Sequence, residues 1–185
     1  GPIDVLINNA VTRGSSEKKF YESFTDYDAI EWENIIKSNI NLSFNITKYV
    51  LKFMKKRKKG SIIFLSSIYG SDFSSDPSIY YNSKNKKLPF NNPPSYQVSK
   101  SAVVGLTRYL CANYGKYNIR INSISPGGIY NMQNKDFVNK YSSRVPLKRM
   151  AKPEEIVNPI LFLCSDASSY ITGQNLYVDG GLSSW

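Results

Sequence analysis

Tyr96 and Lys100 stand four residues apart in the run Tyr96-Gln97-Val98-Ser99-Lys100. In a helix that spacing brings both side chains to one side of a single turn. An ammonium beside a phenol favours the phenolate and lowers the phenol's pKa from its usual value near 10. Such a phenol can give and take a proton near neutral pH, in a chain that contains no histidine. The same spacing also occurs on ordinary solvated helix faces, so the surroundings must decide. Upstream, Ile62-Ile63-Phe64-Leu65 runs into Ser66-Ser67, and downstream Asn122-Ser123-Ile124-Ser125 runs into Pro126-Gly127-Gly128. Ligands of an open parallel sheet bind beyond the carboxyl ends of its strands. Ser67 falls at such an end, whereas Ser66 reads as the last residue of the strand.

The elements that must position these residues alternate between strand and helix, which predicts an α/β fold. Val5-Leu6-Ile7 is a short apolar run leading into Asn8-Asn9-Ala10, the pattern of a parallel strand covered on both faces. From about Asp28 the period becomes helical, with Trp32, Ile36, Asn39, Ser43, Ile46, Val50 and Phe53 along one stripe. Asn39 is a polar residue on that stripe and must find hydrogen bonds, either as a core residue bonded to backbone or as a functional one. The helix ends in Lys55-Lys56-Arg57-Lys58-Lys59, where cations complement the dipole, and Gly60 reads as its terminator. A second helix runs from Ser95 to about Gly115. Val98, Ala102, Val103, Leu106 and Leu110 give it an apolar arc wide enough for the sheet and a partner. Asn118 to Ser125 forms the next strand. Lys152-Pro153-Glu154-Glu155 opens a helix with proline and acids in its first turn, and Ile156, Ile160 and Leu163 form its stripe. Gly173 to Asp179 is the last strand.

With Ile62 to Ser67, Tyr96 to Lys100 and Asn122 to Gly128 in this order, the chain resembles the short-chain dehydrogenase/reductase family from Asp4 to Gly181. The resemblance implies a Rossmann-like three-layer α/β/α domain with a mostly parallel sheet, holding about four of the family's seven strands. No glycine-rich phosphate turn precedes Val5. Residues 1–185 are therefore read as the C-terminal part of such a domain, expected to be inactive and to bind cofactor poorly by themselves. The catalytic residues implied are Asn39, Ser67, Tyr96 and Lys100, with Asn39 holding a water that relays protons to Lys100. Ser67 would bond the substrate carbonyl. Contacts to NAD or NADP are implied for Asn9, Ala10, Tyr96, Lys100, Pro126, Gly127, Ile129 and Asn131. Here Val11 replaces the glycine of the family's Asn-Asn-Ala-Gly, and Asn131 stands at the family's usual threonine. The segment from Ser67 to Tyr96 is longer than in the family, and Asp72 to Pro94, rich in Ser, Asn, Lys and Pro, reads as an inserted loop that shapes the substrate pocket. Residues 131–149 correspond to a polar substrate flap.

The activity implied is hydride transfer between NAD or NADP and a secondary alcohol or ketone. One reading of the substrate is a sugar derivative in a surface-sugar or flagellin-modification pathway. The alternatives are a 3-oxoacyl thioester reductase and a non-catalytic scaffold of the same fold. Composition agrees with a globular protein: 41% hydrophobic and 14% aromatic residues rule against disorder. The formal charge of +10 is concentrated at Lys55 to Lys59, which lacks interleaved aromatics and reads as a solvated helix end, not a nucleic-acid or membrane surface. Cys111 and Cys164 follow no metal-ligand spacing and are read as buried packing residues of a cytoplasmic protein, with no metal. The expected partners are a small carbonyl or alcohol substrate and copies of the chain itself, as a homodimer or homotetramer.

Overall fold

The computed structural model describes residues 1–12, 14, 19, 22–71, 73–74, 77–80 and 92–184. Four strands, β1 (Val5–Asn8), β2 (Gly60–Leu65), β3 (Ile119–Pro126) and β4 (Asn175–Val178), form one sheet in the order β1-β2-β3-β4. Every pairing is parallel, with Leu6 opposite Ile62, Ile62 opposite Ile121, and Ser125 opposite Tyr177. Each parallel connection needs a crossover, and the chain makes these with helices. The first crossover carries α1 (Ala29–Ile36), a π-helical turn (Lys37–Asn41) and α2 (Leu42–Arg57). The second carries a 3₁₀ turn (Ile68–Gly70), the short α3 (Pro77–Tyr80) and α4 (Pro94–Tyr114). The third carries α5 (Lys135–Arg144) and α6 (Pro153–Cys164).

Strand alternation sends Ile62, Phe64, Ile119 and Ile121 to one face, where they pack with Val50, Leu51 and Met54 of α2 and Val103 and Leu110 of α4. Ile63 and Ile124 point to the other face and meet Leu163 and Ile160 of α6. The result is the three-layer α/β/α sandwich expected from the sequence. β1 departs from expectation. It is a half-exposed edge strand: Leu6 faces the α2/α4 layer, while Val5 and Ile7 on the opposite face are 38% and 45% exposed.

The stripe of the first long helix also shifts. The buried positions are Glu31, Ile35, Asn39, Ser43, Thr47, Val50, Leu51 and Met54, whereas Ile46 and Phe53 are exposed. A π-helical turn closes over five residues, so a face followed through Lys37–Asn41 advances by four residues per turn and leaves the 3.6-residue pattern. Gly60 does not terminate α2. Lys58 takes the left-handed cap at φ 52°, and Gly60 instead begins β2 where a Cβ would lie 2.4 Å from Met54 Sδ. Both cysteines are free and half-buried, not fully buried.

Much of the 72–94 insertion lies outside the described residues, as do parts of the 12–27 loop. In the described part, 77–80 is helical where a loop was expected. Residues 131–149 contain the ordered helix α5, whose Tyr141 joins Ile79, Val145 and Met150 in a separate core cluster. Replacing Lys58 by glycine should raise stability by about 0.5–1 kcal/mol, because a left-handed lysine is strained and glycine is not. A higher urea midpoint with an unchanged slope checks this.

Candidate active site

The carboxyl ends of all four parallel strands lie on one edge of the sheet. Asn9 and Ala10 follow β1, Ser66 and Ser67 follow β2, Pro126 to Ile129 follow β3, and Asp179 to Gly181 follow β4. The amino-terminal turns of α4 pack against this edge. Pro94 in the first turn suits a helix start, where a missing N–H costs nothing. Tyr96 and Lys100 then occupy successive turns, and Lys100 Nζ lies 5.7 Å from the centre of the Tyr96 ring.

Lys100 is only 6% exposed, and its ammonium donates to the Leu65 carbonyl at 2.6 Å. The Ser66 hydroxyl returns the bond, donating to the Lys100 carbonyl at 2.8 Å. Ser66 is thus committed to joining β2 to α4, and Ser67 is left as the serine of the turn. Ser67 is extended and caps the 3₁₀ turn, with its Oγ accepting from Tyr69 N–H at 3.2 Å. Burial pushes the Lys100 pKa down to about 8, so the ammonium is still mostly protonated at pH 7.

Asn39 is held by its side chain. Its Oδ1 accepts from Thr12 N–H at 2.8 Å and its Nδ2 reaches Ser99 Oγ at 3.4 Å, tying the segment after β1 to the residue before Lys100. Its carbonyl accepts from Ser43 Oγ at 3.0 Å within the π-helical turn. Such turns recur at functional sites.

After β3, the Pro126-Gly127-Gly128 turn is anchored on both sides. Gly127 N–H donates to Val178 O, Ala151 N–H to Gly128 O, and Tyr130 N–H to Ala151 O. Between these bonds the Ile129 N–H has no acceptor among the described residues, while the Ile129 carbonyl accepts from Gln133 Nε2 at 2.9 Å. Asn131 is exposed, and its backbone N–H is taken by Gln133 Oε1 at 2.7 Å. A carboxamide-bearing ligand fits this donor set: an unpaired backbone N–H beside a glycine turn, and a lysine with donors to spare.

Residues that sequence reasoning missed hold Ser67 in place. Gly70 lies so close to α4 that a Cβ would be 2.3 Å from Lys100 Cβ and 2.5 Å from its carbonyl carbon. Ser71 Oγ donates to the Ser67 carbonyl at 3.1 Å and lies 2.8 Å from Ser125 Oγ. Asn175 on β4 completes the net, donating from Nδ2 to Ser71 Oγ at 3.1 Å and accepting at Oδ1 from Ser123 and Ser125. The glycine after Ser67-Ile68-Tyr69 was the one local signal for this; the Asn175 link spans 104 residues and has none.

Beyond Ser67 opens a cleft of about 290 Å³ lined by Ile68, Tyr69, Phe73, Ile79, Arg144 and Leu182. It joins the Ser67 turn to the 72–94 segment and to α5, with Arg144 Nη2 donating to Ser78 Oγ at 2.6 Å.

Comparison with known proteins places this geometry. The family described as enoyl-(acyl carrier protein) reductase matches residues 1–183. A 3-oxoacyl-(acyl-carrier-protein) reductase of Thermotoga maritima is 36% identical over 187 residues, covering 98% of this chain and 67% of that protein. The ribulose-forming D-arabinitol 2-dehydrogenase of Candida tropicalis is 36% identical over 191 residues, covering 98% and 60%. A crystal structure of a short chain dehydrogenase from Leptospira borgpetersenii with bound NAD+ superposes with a TM-score of 0.83 at 35% identity, covering 97% and 65%. The chain thus spans 67% of the Thermotoga maritima protein, 60% of the Candida tropicalis one and 65% of that crystal structure's chain.

Two outcomes are expected. Gly70→Ala should cost about 1–3 kcal/mol, since neither neighbour is the tip of a flexible side chain; the shift in urea midpoint measures it. For Lys100, the unfolded chain keeps its proton to about pH 10.5 and the folded chain loses it near pH 8. The unfolded state therefore binds more protons between these values, so Lys100 makes stability rise with pH across that window. The difference in unfolding free energy between wild type and Lys100→Met should grow in favour of wild type from pH 8 to 10.

Proposed function

Since the chain belongs to the short-chain dehydrogenase/reductase family, we propose that the protein interconverts a secondary alcohol and a ketone with NAD or NADP. The observation that carries this reading is the buried Lys100 ammonium, bonded to the end of β2 and within reach of the Tyr96 ring beside the Ser67 turn. A bound nicotinamide cofactor would supply or accept the hydride. Asn9, Ala10, Tyr96, Lys100, Pro126, Gly127, Ile129 and Asn131 would hold it, with the Ile129 N–H meeting the carboxamide. Lys100 stabilises negative charge on Tyr96, whose hydroxyl gives a proton to the substrate oxygen or takes it back. Ser67 Oγ donates to the same oxygen as charge develops there. Asn39 orders the water through which Lys100 regains its proton.

The cleft beyond Ser67 favours a 3-oxoacyl thioester as the substrate. Ile68, Tyr69, Phe73, Ile79 and Leu182 make its walls mainly apolar, which suits an acyl chain. Similarity to an arabinitol dehydrogenase supports a sugar-derived ketone as the second reading. Exposed apolar side chains on two adjacent helices, Phe44, Tyr49 and Phe53 of α2 with Val98 and Tyr109 of α4, support pairing of two copies.

The test is oxidation of NADH and NADPH by the intact protein with acetoacetyl-CoA and with a panel of keto sugars. Tyr96→Phe should lower kcat by at least about 100-fold while the melting temperature holds. Turnover within about tenfold of wild type would remove Tyr96 from the mechanism, and oxidation of neither coenzyme with any substrate would end the oxidoreductase reading.

A further inference from the structure

Tyr141 sits on α5, the helix of the flap, and is 3% exposed. Its hydroxyl accepts from the Gly128 N–H, in the turn that would meet the nicotinamide. The ring covers that turn closely. A Cβ at Gly128 would lie 2.6 Å from Tyr141 Cζ, and one at Gly127 would lie 3.1 Å from the hydroxyl oxygen. Gly128 is therefore required by the ring above it, whereas Gly127 is required first by Asp179, whose Cα would lie 2.9 Å from a Cβ there. Burial raises the Tyr141 pKa above its ordinary value, so the hydroxyl stays protonated at neutral pH. Phe137 stacks on the ring at 6.1 Å, and Ile79, Val145 and Met150 close the cluster.

The packing in this cluster needs only an aromatic ring, which phenylalanine would supply equally well. The hydroxyl adds one thing, a fixed partner for the Gly128 amide. That amide lies one peptide before the Gly128–Ile129 peptide, whose N–H has no acceptor among the described residues. We propose that Tyr141 is a positioning residue for the cofactor. Its hydroxyl holds the Gly127–Gly128 peptide while Ala151 N–H holds the Gly128 carbonyl in the next, and together they aim the Ile129 N–H at the nicotinamide carboxamide. The flap and the cofactor turn then move as one piece. Three residues along the same helix, Arg144 reaches the substrate cleft, so α5 contacts both binding regions. This inference rests on the oxidoreductase reading above.

Tyr141→Phe in the intact protein tests it, with NADH and NADPH titrated by nicotinamide fluorescence. The dissociation constant of the preferred coenzyme should rise about three- to tenfold, the range expected for one lost hydrogen bond. ADP-ribose, which lacks the nicotinamide, should bind wild type and variant equally in a calorimetric titration. Amide hydrogen exchange should quicken at Gly128 and stay unchanged in β2 and β3. Equal coenzyme binding by wild type and variant would overturn the proposal. So would an equal loss for ADP-ribose, because the whole cleft would then have shifted. If wild type binds neither coenzyme, the oxidoreductase reading fails and the inference falls with it; if wild type binds and the variant matches it, only the inference falls.

Discussion

Lys100 Nζ bonds to the Leu65 carbonyl at 2.6 Å in a setting that leaves the residue 6% exposed, and a buried ammonium is costly unless such a partner is built in. The partner here is the last carbonyl of β2, a group that the edge of a parallel sheet leaves available. Ser66 closes the reciprocal bond to the Lys100 carbonyl, so α4 is pinned to β2 at one point by two opposed hydrogen bonds. Gly70 permits the 3₁₀ turn to lie directly against that point. The direction of α4, the place of the Ser67 turn and the reach of Tyr96 all follow from this junction. Burial disfavours the charged form there, which is why the Lys100 pKa is depressed.

The interior changes character along the strands toward the site. On β3, Ile119 and Ile121 face α4 through apolar contact, but Ser123 and Ser125 continue the same face with hydroxyls, all of them essentially unexposed. On α4, Val103 and Leu110 pack against the apolar end, while Ser95, Ser99 and Lys100 occupy the end near the carboxyl edge. Each of these polar groups has a partner. Ser95 meets Tyr27, Ser99 donates to the Tyr96 carbonyl, and Ser123 and Ser125 donate to Asn175. Apolar packing is tolerant of small shifts, whereas hydrogen bonds fix direction. A sheet that is greasy at one end and bonded at the other is stable below and directional above.

The strands, their parallel order and the two sides of the sandwich were legible because continuous apolar runs alternate with helical periods. The placement of Tyr96 beside Lys100 was legible from spacing, and that of Ser67 from the rule that strand ends open onto the edge of the sheet; the choice of Ser67 over Ser66 came from the family resemblance. The π-helical turn was not, because its extra residue leaves no mark in composition; nor was the exact face of α2, which buries Thr47 and Met54 in place of the neighbouring Ile46 and Phe53. Exposure of Val5 and Ile7 was also hidden, since an apolar run reads alike whether one face or both are covered. Asn175 and Tyr141 were missed for a third reason. Each acts through a hydrogen bond to a residue far away in sequence or on another element, and nothing local distinguishes them from ordinary polar and core residues.

The part of the molecule that would do chemistry and the part that would choose a substrate are held by different means. Lys100, Ser67 and Asn39 are fixed by bonds to the sheet, to α4 and to the segment after β1. The cleft wall comes from residues outside the sheet: Phe73 and Ile79 from the 72–94 segment, Arg144 from α5 and Leu182 from the turn after β4. These are joined to one another by the Ile79 and Tyr141 cluster and by the bond from Arg144 to Ser78. Changes in the insertion can therefore reshape the cleft without disturbing the Lys100 junction. The cleft lining thus depends on residues whose placement the sheet does not dictate, whereas the Lys100 junction depends on the sheet itself.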